Sequence, residues 1–86
     1  MKRIVESSEK DGLDSLIGEQ VILLCSNYFY AGKLVGVNKT CVALLDARIV
    51  YETGEWSASS WKDAQPIGPG ETYVRIQAIE AFRKGK

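Results

Sequence analysis

The sequence predicts an all-β domain, a small and strongly bent barrel of five strands with one short helix in front of it. Three observations carry this. Apolar and polar residues alternate with a period of two through several stretches of the chain, the mark of strands with two distinct faces. Two glycines, Gly32 and Gly36, fall on one face of the second such stretch, where glycine is costly unless it permits a bend or a close backbone approach. Turn-forming residues separate the stretches, at Ser26-Asn27 and at Asn38-Lys39-Thr40. With 86 residues the chain makes one domain, and a domain of this size buries only about 60% of its unfolded surface. Contact with a partner subunit would enlarge so modest a core.

Residues 1–12 read as a polar N-terminal extension with one apolar pair, Ile4-Val5. A short helix follows around Leu13 to Ile17, started by Asp11 or Gly12 and ended by Gly18. It offers Leu13, Leu16 and Ile17 on one face. The first strand is apolar on both sides, with Val21, Leu23 and Cys25 alternating with Ile22 and Leu24. The second runs from about Tyr28 to Val37 and sets Tyr30, Gly32, Leu34 and Gly36 on one face, the pattern of a sharply curved strand. The third runs from Cys41 to about Tyr51. Its small face, Cys41, Ala43, Leu45 and Ala47, is expected to point into the narrow interior.

Glu52 to Glu71 is an irregular insert that carries both prolines and both tryptophans, with a hairpin extension of the third strand through Glu52-Thr53-Gly54-Glu55 left open. A connection of that length within a compact domain is usually functional or mobile. Two short strands, Thr72 to Gln77 and Ala78 to Phe82, close the chain.

Charge and chemistry exclude several classes of function. Eleven basic and eleven acidic residues cancel, so the concentrated positive charge that drives general nucleic-acid binding is missing, although a local basic patch remains open. The one basic cluster, Arg83-Lys84-Gly85-Lys86, is read as a solvated end. Cys25 and Cys41 are too few for a zinc site and the chain has no histidine, so no metal and no cofactor are expected. Both cysteines read as reduced, small core residues. No nucleophile motif, paired carboxylates or phosphate-cradling loop is present, so no enzyme is expected. The start of the chain has no apolar segment of signal-peptide length, and no apolar run approaches the roughly 20 residues of a membrane span. A soluble, cytoplasmic protein is the expectation.

Several of these stretches, in order, resemble the two motifs of the Sm-like family. Tyr30-x-Gly32-x-Leu34-x-Gly36-Val37-Asn38 is similar to its first motif, preceded by Ile17-Gly18-x-x-Val21-x-Leu23 and followed by Cys41-x-Ala43-x-Leu45-Asp46-Ala47. Val74-Arg75-x-x-x-Ile79-x-x-Phe82 resembles the second. The resemblance covers roughly residues 13–48 and 72–83, with residues 52–71 as a variable insert. It implies an SH3-like barrel whose copies join edge to edge in a ring of about five to seven subunits, an arrangement that removes exposed sheet edges. Val74, Ile76, Ile79 and Phe82 would serve core and seam together. It also implies single-stranded RNA as a partner, held by loops at the ring pore.

Carried over position by position, the implied RNA site is altered. The family's Asp falls on Asn38, its stacking residue on Thr40, its base-reading Asn on Val42 and its Arg on Arg75. The glycine after that Arg is replaced by Ile76, and the Lys-His pair of the Hfq group is absent. Arg75 and Lys39 remain to meet phosphate. The competing reading pairs Arg75 with a carboxylate such as Asp46 and leaves Lys39 solvated. In the insert, Trp56 and Trp61 with Lys62 form a candidate contact surface, for stacking bases or for packing and protein contact. Two alternatives to an RNA-binding ring stay open: an oligomeric interaction module that has lost the RNA pocket, and a monomeric, peptide-binding SH3-like barrel.

Overall fold

The computed structural model describes Arg3, Ile4 and residues 12–86. Most of the N-terminal extension, including Asp11, lies outside the described residues. The chain is all-β, with β1 over Gln20–Cys25, β2 over Phe29–Val37, β3 over Cys41–Glu52, β4 over Asp63–Pro66, β5 over Glu71–Arg75 and β6 over Ile79–Lys84. Every pairing is antiparallel, in the order β4-β3-β2-β1-β6, with β5 also paired to β3. The described sheet therefore has six strands rather than the expected five, and it does not close on itself. No described helix is long and apolar enough to cross a membrane.

The additional strand, β4, lies inside the stretch read as irregular. It arises because β3 is long enough to carry two partners along one edge. The first half of β3 pairs with β5, Cys41 to Leu45 against Arg75 to Glu71. The second half pairs with β4, Arg48 against Pro66 through Glu52 against Asp63. Between them Asp46 takes a positive φ of 53°, a conformation open to Asp because its short polar side chain tolerates the left-handed region. The β2–β3 register shifts here: Ala31 faces Arg48, and Lys33 faces Leu45. One extra residue of β3 has been inserted, which is a β-bulge. The main chain around it is tied to the β4–β5 connection by Asp46 N–H to Gly70 O at 3.3 Å and Ile67 N–H to Ala47 O at 3.0 Å.

That bulge changes which side of β3 is buried. The small face, Cys41, Ala43, Leu45 and Ala47, was expected inside. Val42 and Leu44 enter the main core in place of Cys41, Ala43 and Leu45, while Ala47 enters it as expected, with Val21, Leu23, Cys25, Leu34 and Val74. Parity runs with the even positions up to Leu44 and with the odd positions after Asp46. A second register shift, between Leu34 and Gly36 on β2, likewise brings Val37 against this core.

Gly32 sits under the bulge. A Cβ built there would meet Ala47 Cα, Leu44 Cβ and Leu45 O, each at 3.2 Å, whereas one at Gly36 would meet only Ala43 Cβ at 3.8 Å. Of these two β2 glycines, the close approach belongs to Gly32.

The expected helix is a single 3-10 turn, Leu13–Leu16, too short for an α-helix between Gly12 and Gly18, both at positive φ. Leu13 and Leu16 pack on the main core, and Ile17 stays exposed. A second 3-10 turn, Ile76–Ala78, joins β5 to β6, so the last two expected strands are present with ends displaced by one or two residues.

Alternation along β1 sends Ile22 to the other side of the sheet, into a second, smaller cluster with Ala31, Val50 and Trp61. Trp61 is the lid of that cluster. Its indole Nε1–H donates to the main-chain oxygen of Lys86 at 2.6 Å, and its ring meets Trp56 edge-on with centroids 5.3 Å apart. The Lys86 ammonium lies 4.4 Å from the Trp61 ring centroid and donates to the carbonyls of Glu55, Trp56 and Ala58 at 3.0, 3.2 and 2.7 Å. The residue read as part of a solvated end is therefore the clasp that fastens the insert to the sheet.

Candidate nucleic-acid interface

The β2–β3 turn and the end of β5 meet at one corner of the molecule. The Asn38 side chain builds the turn. Its Oδ1 accepts from Thr40 N–H at 2.8 Å, Cys41 N–H at 2.8 Å and the Thr40 hydroxyl at 3.1 Å, an Asx turn that lets a polar residue organise the reversal. Asn38 thus spends its acceptor on its own backbone. Thr40 O in turn accepts from Ile76 N–H at 2.9 Å, and Cys41 stands opposite Arg75 in the β3–β5 ladder. The turn is locked against the start of the β5–β6 connection.

The corner holds a depression of about 540 Å³ lined by Lys39, Thr40, Cys41, Tyr73, Arg75 and Gln77. Of the residues singled out from the sequence, Lys39, Thr40 and Arg75 are brought together here, with Asn38 behind them. Among the described residues the ion pairs are Lys62–Glu52 at 3.4 Å and Lys84–Glu19 at 3.1 Å. Neither Arg75 nor Lys39 belongs to one, and Asp46 does not reach Arg75. Two cations therefore face solvent beside the same depression.

Val42, at the position where the family reads a base edge, is fully buried in the core. Its side chain contributes packing only. Tyr73 was not singled out from the sequence. It is 67% exposed and stands two residues before Arg75, on the same face of β5. The signal available for it was the alternation of Tyr73 and Arg75 with buried Val74.

The insert residues are placed differently from one another. Trp61 is buried and turned inward, Trp56 is half-exposed beside it, and Lys62 is exposed in its pair with Glu52. Of the residues expected at an oligomer seam, Val74 is buried in the core, Ile76 and Ile79 are half-buried against it, and Phe82 is 37% exposed on β6. Among the described residues β5 is paired only to β3, and β6 only to β1. Each keeps one unpaired edge. Both cysteines are free, Cys25 buried and Cys41 half-buried.

Among the described residues the fold and this corner define a small all-β protein with open strand edges at β4, β5 and β6 and a solvent-facing cationic depression beside β5. No protein-family model, no curated protein and no solved structure matches the chain.

Proposed function

We propose that this chain is an Sm-like subunit that joins copies of itself edge to edge into a ring and binds single-stranded RNA at the corner formed by Asn38, Lys39, Thr40 and Arg75. It acts by binding, not by catalysis. The observation that carries the reading is that β5 and β6, strands separated by a single 3-10 turn, each keep one edge unpaired among the described residues, as β4 does. One chain thus offers two different edges, and a head-to-tail contact between different edges closes into a ring when its rotation allows. The curvature such a subunit needs is supported by three features: the bulge at Asp46, the close approach at Gly32, and a core cluster fed jointly by β1, β2, β3 and β5. Arg75 and Lys39, without a carboxylate partner among the described residues, supply the phosphate contacts.

The RNA part is tested by titrating purified protein with short oligouridine and oligoadenosine at increasing salt. Binding should weaken with salt, and Arg75→Ala should weaken it and reduce the salt slope by about one phosphate contact. Absence of binding at low salt overturns it. One observation favours a second reading, an oligomeric interaction module without RNA. The family's base-reading position is the buried Val42 and its stacking position is the ringless Thr40. Under that reading the ring forms and the oligonucleotides do not bind.

A further inference from the structure

We infer that Tyr73 is the stacking platform of this corner, taking over on the outer face of β5 the role that Thr40 has no ring to perform. The inference rests on the RNA reading above and adds to it the group that would hold the base.

The surroundings of Tyr73 leave its ring uncovered. Its partner across the β3–β5 ladder is Ala43, and the partner of Ala43 in turn is Gly36 on β2. The row running away from the ring across the sheet is therefore Tyr, Ala, Gly, with no side chain beyond a methyl group to lie against it. Depressions open on both sides. The one of about 540 Å³ holds Lys39, Thr40, Arg75 and Gln77, and one of about 250 Å³ is lined by Gly36, Val37, Asn38, Cys41, Ala43 and Tyr73. Tyr73 and Cys41 line both. A flat base laid against the Tyr73 ring would have Arg75 and Lys39 within the same depression to meet its phosphate.

The pairing of an aromatic face with unpaired cations is the chemistry that holds single strands with little regard to sequence, because every base has a π-face. An acidic partner alone would use the cations and not the ring. An apolar partner alone would leave two cations to be desolvated without compensation, which is costly. A single-stranded nucleic acid uses both. Edge reading is not built into this platform, since Asn38 is committed to its turn and Val42 is buried. Sequence tolerance follows.

The experiment compares wild type, Tyr73→Ala and Tyr73→Phe for binding of short oligouridine and oligoadenosine at low salt, with circular dichroism confirming that each variant is folded. Tyr73 is exposed, so its replacement leaves the core intact. Tyr73→Ala should weaken binding of both oligonucleotides by about 5- to 150-fold, the range for one stacked base. Tyr73→Phe should keep wild-type affinity, and the Tyr73 ring protons should move upfield when wild type is titrated. Wild-type binding that Tyr73→Ala leaves unchanged overturns the platform and leaves the RNA reading standing. Failure of wild type to bind either oligonucleotide overturns the RNA reading itself, and the patch then belongs to a protein contact.

Discussion

Replacing Trp61 by alanine tests the claim that the insert is fastened to the sheet rather than displayed for contact. The tryptophan is only 7% exposed and covers Ile22, Ala31 and Val50. A buried tryptophan removes roughly 150–250 Å² from water, which at about 25 cal/mol per Å² is about 4–6 kcal/mol as an upper bound. Measured losses for such truncations run about 3–5 kcal/mol. The insert can settle toward the gap, so the lower end, about 3 kcal/mol, is expected. A domain of 86 residues has about 4–13 kcal/mol in total, so this single change removes a large fraction of it.

Urea denaturation followed by circular dichroism at fixed protein concentration reads the loss directly, and the thermal midpoint should fall by at least about 12 °C. Trp56→Ala is the control. That ring is half-exposed and should cost about 1 kcal/mol, chiefly its edge-on contact. Trp61→Phe, which keeps a ring but loses the donor to Lys86, should fall between the two. Equal losses of under about 1 kcal/mol for Trp61→Ala and Trp56→Ala would refute the clasp.

Two further outcomes follow from the same geometry. Gly32→Ala should lower stability by about 1–3 kcal/mol, because its new methyl meets backbone and Cβ atoms at 3.2 Å with little room to yield. Gly36→Ala should instead be neutral or stabilise by about 0.5 kcal/mol, a contrast that paired urea midpoints will show or deny. Stability should also fall in alkali. Burial, with Glu80 adding to it, pushes the Cys25 thiol up, and burial with Cys25, Tyr28 and Tyr51 pushes the Tyr30 hydroxyl up. A raised value means that the folded chain holds its proton more tightly than the unfolded chain. That stabilisation is complete below the ordinary values and is lost as pH rises past about 9 and through the folded values. The urea midpoint should be flat just above neutrality and decline from there, with Cys25→Ala combined with Tyr30→Phe flattening the decline.

The strands that bury side chains were readable because burial writes an alternation into the sequence. β1 shows it on both faces, and β2 and β3 show it where each has one face inside. β4 was not readable for the converse reason. Asp63, Gln65 and Pro66 are exposed and only Ala64 is half-buried, so nothing in that stretch has to alternate. The bulge at Asp46 was missed because a single inserted residue inverts parity without changing composition. Cys41-Val42-Ala43-Leu44-Leu45 is apolar in both registers, and the small residues pointed to the wrong one. At the site, the meeting of Lys39, Thr40 and Arg75 followed from a resemblance that orders the loops. Tyr73 is not part of the resembling motif, and its exposure is decided by Ala43 and Gly36 on neighbouring strands. Lys86 looked like a free end because its partners, three carbonyls of the insert, are some thirty positions away in the chain.

The central claim is that β5 of one copy pairs with β6 of another. The mass in solution, measured by light scattering at micromolar concentration, tests it most directly. Several times the 9.5 kDa of one chain is the predicted result, in one discrete species. A species of 9.5 kDa would contradict the ring, and the pore-facing role of Arg75 would fall with it.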